Sequence, residues 1–300
     1  MFKSLRIYQI TTADGVTAES LAEQLSANAL PPCGRLEPKA TGWVSPYGRD
    51  KEGLVHSVGN CHLVRYGIDE KVLPTSVIRG ALTERVSEAE GRLGRPPGRR
   101  EKLRMKDEVM MDLLPRAFVK PRDIDAYLDL EAGWLVVDCA SSKLADEVAS
   151  LLRMNVPAIR LNAADISNRI CTYLTQWLKT GECPGDLHLG EEVDLRDERD
   201  ESATIRCRRQ DLESREIRQH VSTGMQAFRM GLRWGDRLAF TLSDEFTLLR
   251  VKALDYLVSQ LSDIATESDV EELDAEFAMT SLEFRALLEE LSGIFNWPEA

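Results

Sequence analysis

Pro96-Pro97-Gly98 divides two helix-forming stretches and is the strongest constraint in the sequence. An α-helix cannot run undisturbed through adjacent prolines, which lack the amide donor and crowd the preceding turn. Before the break, Pro74-Thr75-Ser76 opens a helix predicted from Val77 to about Glu90. Its apolar stripe is Val77, Ile78, Ala81, Leu82 and Val86. After the break, Arg100 to Leu114 reads as a second helix, with Leu103, Val109, Met110, Leu113 and Leu114 available for packing. It stops at Pro115, and Arg116 and Phe118 follow. A helical hairpin inserted between sheet-forming segments is the expectation.

Those flanking segments alternate strands and helices. Leu5–Ile10 reads as a strand and Ala18–Leu25 as a helix, followed by an irregular section from Pro31 to Gly53. Leu54–Val58 and Cys61–Tyr66 form a hairpin across Gly59-Asn60, and Ala126–Leu130 and Trp134–Cys139 another across Glu131-Ala132-Gly133. Ser141 or Ser142 caps a helix reaching Met154, Ala158–Leu161 is a short strand, and Asp165–Lys179 is helical. Asp186 to Glu201 carries eight carboxylates against Arg196 and Arg199, a composition expected of a solvated face or loop. Ala203–Arg208 reads as a strand, then Asp211–Val221 as a helix continuing past Gly224 towards Leu232. Leu238–Leu242 and Thr247–Val251 make a third hairpin, and acidic helices near Tyr256–Ala265 and Ser281–Ile294 close the chain. The predicted class is α+β, with a central antiparallel or mixed sheet. Residues 1–75 and 118–165 form the expected centre, 76–117 a helical tip, and 166–300 an α+β base.

Charge is segregated along this chain. The formal net charge is -12, which argues against polyanion binding over the whole surface. From Arg79 to Lys106, however, nine Lys/Arg face four Glu, a local +5, and Ile205–Gln210 adds Arg206, Arg208 and Arg209. Asp244 to Glu290 carries thirteen acids and three bases. A basic island in an acidic chain calls for an anionic partner, and guanidinium forks match phosphate oxygens. Few aromatics interleave with the basic residues, which disfavours stacking on single strands as the main mode.

Catalytic motifs are absent from the sequence. It has no GxSxG, no GxGxxG at a strand-to-helix turn and no loop ending in GK[ST]. Adjacent Cys61 and His62 would point to opposite faces of a strand, so they make a poor zinc pair. Asp194, Asp197 and Asp200 would share one side of a helix, but no apolar stripe backs them, and a solvated run is the simpler reading. Six single cysteines suggest reduced thiols, and no signal peptide, membrane span, metal site or cofactor site is expected.

Longer landmarks go further. KDEVMMDLLPRAF (106–118), WLVVDCASSKLADEVASLLR (134–153), TYLTQWLKTG (172–181) and IRCRRQDL (205–212) resemble the signature of the recombination-associated RdgC family. PCG at 32–34, GWV at 42–44 and LPTSVI at 73–78 fall in the same order. The resemblance implies a cytoplasmic, nucleoid-associated DNA-binding protein with little sequence preference. It favours double-stranded DNA, takes single-stranded DNA as a further partner, and restrains the RecA recombinase. It also implies a ring-shaped homodimer around the DNA, without cofactor or enzymatic activity. Leu114 and Phe118 are then expected at a dimer contact. Arg92, Arg95, Arg99, Arg100, Lys120, Arg208, Arg209 and Gln210 are expected at the DNA. The tip here reads Arg-Pro-Pro-Gly-Arg-Arg, where relatives often carry a longer Lys-rich helix. A metal-dependent, structure-specific nuclease and a protein-only regulator of the recombinase are the alternatives.

Overall fold

The computed structural model describes residues 2–162, 167–200, 202–262 and 268–297. It opens with β1 (Ser4–Ala13), α1 (Ala18–Ser26), β2 (Lys39–Val44), β3 (Val55–Val58) and β4 (Cys61–Lys71). Two helices follow, α2 (Thr75–Leu93) and α3 (Arg99–Leu113), then β5 (Val119–Asp129), β6 (Trp134–Asp138), α4 (Ser142–Asn155) and β7 (Ile159–Asn162). The remainder is α5 (Ser167–Thr180), β8 (Leu187–Asp197), β9 (Thr204–Arg208), α6 (Arg215–Ser222), β10 (Met225–Trp234), β11 (Leu238–Ser243), β12 (Thr247–Ala253), α7 (Asp255–Ser262) and α8 (Asp269–Phe295). The class is α+β with a large antiparallel sheet, as the alternation of hairpins and helices implied. The chain divides into two compact units.

The larger unit comprises Met1–Ala27, Ser45–Val64 and Ile124–Ala300. Its strands run β6-β1-β12-β11-β10-β8-β9, each antiparallel to its neighbour. One face of this sheet is apolar. Val193, Leu195, Met230, Leu232, Phe240 and Leu242 share a core with Ile170, Leu174 and Leu178 of α5 and with Phe284, Leu287, Leu288 and Leu291 of α8. Strands β6 and β1 are buried on both faces, with Leu135 and Val137 opposite to Val136, whereas along β12-β11-β10-β8-β9 the face away from this core carries exposed cations, and that asymmetry creates the candidate site. Asp129 fastens α8 to the β5–β6 turn. It is 1% exposed and accepts from Arg285 Nε at 2.6 Å and Nη2 at 2.9 Å, and from the Glu131 and Ala132 amides.

The smaller unit comprises Asn28–Val44 and Arg65–Asp123. Here β2 pairs with the second half of β4, and Trp43 meets Tyr66 edge-on at 6.0 Å. Helices α2 and α3 pack on each other, tied by Arg85 to Glu108 at 3.3 Å and to Asp112 at 2.9 Å. Their contact is thin. Val109 and Ala89 are buried, whereas Val77 and Leu103 of the expected apolar sets are exposed, Leu103 by 60%. Two helices can bury only the strip where they touch, so the outer part of each stripe stays in water.

Several expectations are corrected. The section 31–53 contains a strand, β2, whose Gly42 sits across from Gly67. The acidic stretch 186–201 is mostly β8, a strand with neighbours on both sides, because Leu187, Val193 and Leu195 supply a buried face and arginines of β9 neutralise the other. The helix expected past Gly224 stops at Ser222. Gly224 adopts φ +104°, and residues 225–234 form β10. An irregularity at Phe228 shifts the register of β10 on β8, breaking the two-residue alternation that marks a strand. The last helix starts at Asp269 rather than Ser281, where the Ser268 side chain accepts the Glu271 amide and an acidic first turn suits the helix dipole. The expected helix start at Asp165 and end at Ala265 lie outside the described residues.

Candidate nucleic-acid interface

The outer face of the β9-β8-β10-β11-β12 sheet is basic. Register places Arg206 opposite Asp194, Arg208 opposite Glu192, Arg229 opposite Asp194, and Lys252 opposite Ala239, which in turn faces Arg233. Directly paired residues share a sheet face, so these five cations stand together, away from the core. Arg196 is turned away from this set, paired with Asp244 at 3.0 Å, stacked over Phe228 at 5.2 Å and reaching Cys171 Sγ of α5 at 3.5 Å. Among the described residues, Arg206, Arg209, Arg233 and Lys252 are exposed with no side-chain partner, so their charge is available to a ligand.

An open groove of about 1050 Å³ crosses this face, lined by Arg208, Arg209, Gln210, Arg233, Arg250 and Lys252 among others. Its floor is made by a backbone distortion. Met230 pairs with Val193 and Leu232 with Leu189, so Gly231 alone opposes Gly190, Glu191 and Glu192. The two glycines permit this. A Cβ on Gly190 would lie 2.9 Å from the Gly231 backbone, and one on Gly231 would lie 2.8 Å from Glu192 Cγ. The bulge swings Glu192 towards Thr241 Oγ1, Arg250 Nη2 and Arg208 Nε. Arg208 Nη1 also reaches Asp194 Oδ1 at 2.6 Å, although Asp194 is only 3% exposed. The bond to the Asp194 carboxylate holds the Arg208 pKa above its ordinary value and keeps the guanidinium charged. Two groove residues, Arg209 and Arg250, adopt left-handed φ angles of +52° and +54°, which residues other than glycine rarely take.

Of the residues singled out from the sequence, Arg208, Arg209 and Gln210 meet at this groove, with the Gln210 amide bonded to the Glu191 carbonyl. The others lie in the smaller unit. Arg92 ends α2, and Arg99 and Arg100 open α3; all are exposed and, among the described residues, without side-chain partners. Arg95 is committed. Its fork holds Glu101 with two 3.0 Å bonds, and Glu101 also accepts the Gly98 amide at 2.7 Å, so the carboxyl is pushed down to about 2. Lys120 is exposed near the start of β5. Leu114 is buried, whereas Phe118 is 86% exposed, its carbonyl accepting the amide of Val72 at 2.9 Å.

Sequence reasoning missed Arg233, Arg250, Lys252 and the Glu192–Thr241 pair. Arg250 and Lys252 stand two apart and Arg229 and Arg233 four apart, a strand spacing, but only the register of four strands shows that they share one surface. Among the described residues no group of three or more His, Cys, Asp or Glu stands where it could hold a metal ion. Asp194 is occupied by Arg208, and His62 is occupied by Ser57 Oγ at 2.8 Å. No helix of the described residues is long and apolar enough to cross a membrane.

A family model described as "Putative exonuclease, RdgC" matches residues 1–297. The chain belongs to the RdgC family. Proteins named "Recombination-associated protein RdgC" match it along nearly their whole length. The one from Xylella fastidiosa (strain 9a5c) is 38% identical over 291 residues, covering 95% of this chain and 94% of that protein. That of Halorhodospira halophila is 36% identical over 299 residues, covering 100% and 99%. That of Proteus mirabilis is 34% identical over 295 residues, covering 98% of each. Their RdgC names attach recombination, and no reaction, to the family.

Proposed function

We propose that this RdgC protein is a non-enzymatic DNA-binding protein that holds double-stranded DNA through its phosphates, with little regard to sequence. The observation that carries this reading is the exposed sheet face where Arg206, Arg209, Arg233 and Lys252 have no side-chain partner among the described residues, in a chain of net charge -12. Phosphate contacts made by such cations draw most of their free energy from released counterions, which gives affinity without base readout. The arginines at the α2–α3 junction of the smaller unit supply a second basic surface. In its cell, occupation of DNA would limit access of the RecA recombinase and place the protein on the nucleoid.

Closure around DNA as a homodimeric ring accompanies this proposal. A two-fold dimer closes into a ring only when each subunit carries two separate self-complementary patches. Phe118 fits one such contact, because a large aromatic left 86% exposed gains by burial in a partner's pocket. Phe118→Ser is expected to leave the subunit folded and weaken self-association by about 2–4 kcal/mol, the range of a central aromatic anchor. Analytical ultracentrifugation with unchanged dimer content would remove Phe118 from that role.

The direct test is a gel-shift series on duplexes of unrelated sequence across a salt range. Similar affinities that fall steeply with salt are expected. The word exonuclease in the family description names the competing reading. Linear duplex incubated with magnesium ion and the protein should keep its length; progressive shortening would replace the binding reading with a hydrolytic one.

A further inference from the structure

Glu192, like the buried Asp194, is a carboxylate on a face that collects cations. Its carboxylate is met by Arg250 Nη2 and Thr241 Oγ1, with Arg208 Nε at 3.4 Å, and Arg250 Nη2 also reaches Thr241 Oγ1 at 2.9 Å. Two guanidinium groups and a hydroxyl converging on one pair of anionic oxygens form the donor set that a phosphate requires. With Asp194 on the other side of Arg208, the cluster holds two positive and two negative charges and is electrically silent at the centre of a basic groove. The arginines are not sealed in, since the side chains of Arg208 and Arg250 are 41% and 55% exposed. Nor is Glu192 incidental, because the Gly190–Gly231 bulge is what delivers it there.

We propose that Glu192 is a built-in stand-in for a nucleic-acid phosphate, an internal anion that occupies Arg208 and Arg250 and competes with the DNA backbone for them. The inference rests on the reading of this face as the DNA surface. Its physical content is that cations neutralised from within shed no counterions when DNA arrives, so they add nothing to the affinity or its salt dependence. The four unpaired cations attract the duplex, and the central pair is held in reserve. Affinity is thereby capped at a level that permits release.

Glu192→Gln keeps the size and the acceptor for Thr241 but removes the charge. Fluorescence anisotropy with a labelled duplex should show roughly tenfold tighter binding per subunit engaged at about 100 mM salt. The log–log salt slope should steepen by about 1, one freed phosphate contact. Glu192→Ala, which needs no new hydrogen bond, should move in the same direction, and thermal melts establish that both variants are folded. Unchanged or weaker binding by a folded variant overturns the proposal, the weaker result making Glu192 a positioning residue for its arginines. Inorganic tripolyphosphate, titrated calorimetrically, separates this idea from its parent. If wild type ignores duplex at every salt concentration, the DNA reading fails. The stand-in role then survives only if Glu192→Gln takes up tripolyphosphate more tightly than wild type.

Discussion

Reversing Arg206, Arg209, Arg233 and Lys252 to Glu together is expected to lower duplex affinity by at least about three orders of magnitude at roughly 100 mM salt. Each phosphate neutralised contributes about 0.9 to the log–log salt slope, hence close to one order of magnitude at that concentration. These four are exposed cations of the sheet face that no side chain among the described residues already holds. The loss should be the same for every duplex, and the residual salt slope should be shallow, because the contacts read backbone charge rather than base edges. A matched reversal of Arg92, Arg99, Arg100 and Lys102 measures the contribution of the α2–α3 surface separately. If the sheet-face variant binds like wild type while the helical variant does not, the sheet face is not the principal site. Loss confined to one sequence would replace phosphate contact with base readout.

Arg285→Met is expected to destabilise the larger unit by about 3–5 kcal/mol, the usual consequence of stranding one member of a buried ion pair. Asp129, 1% exposed, would keep the Glu131 and Ala132 amides but lose both guanidinium bonds, and Glu131 would lose its 2.7 Å contact with Arg285. In the wild type, against the opposing desolvation, the bonds to Asp129 and Glu131 hold the guanidinium pKa above its ordinary value. The double variant Asp129→Asn, Arg285→Met should recover part of the loss, since it leaves no unpaired buried charge. Chemical denaturation monitored by tryptophan fluorescence reports both. A single variant as stable as wild type would show that Phe284, Leu287, Leu288 and Leu291 anchor α8 without this clamp.

How far the sequence could be read depended on the range of the interaction. Hairpins announced by Gly59-Asn60 and Glu131-Ala132-Gly133 were legible because a tight turn is a local event. The helices of the smaller unit were legible from Pro74, Pro96 and Pro97, again local punctuation. β10 was not, because the irregularity at Phe228 imitates a helical spacing and only the partner strand reveals it. β8 was hidden by its carboxylates, whose charge reads as solvent exposure until Arg206 and Arg208 arrive from β9. For the site the division is similar. Arg208, Arg209 and Gln210 stand in one run and were visible together, whereas Arg233, Arg250 and Lys252 come from three strands assembled by long-range register. Glu192 had no distinguishing mark, since its meaning lies in a bulge opposite Gly231.

The position of β9 carries one more consequence. It is the last strand in its sheet, paired to β8 on one side, and among the described residues no strand covers its other side. An open strand offers its amides and carbonyls to any chain that can align with it, including another copy of itself. Arg206 and Arg208 share one face of it with Thr204, alternating with Ile205 and Cys207, so a copy laid alongside would bring like charges into register. Arg206, one of the cations proposed to attract DNA, thus also discourages aggregation. Changing Arg206 to an acid preserves that protection, whereas changing it to an apolar residue should turn the border of the sheet into a seam.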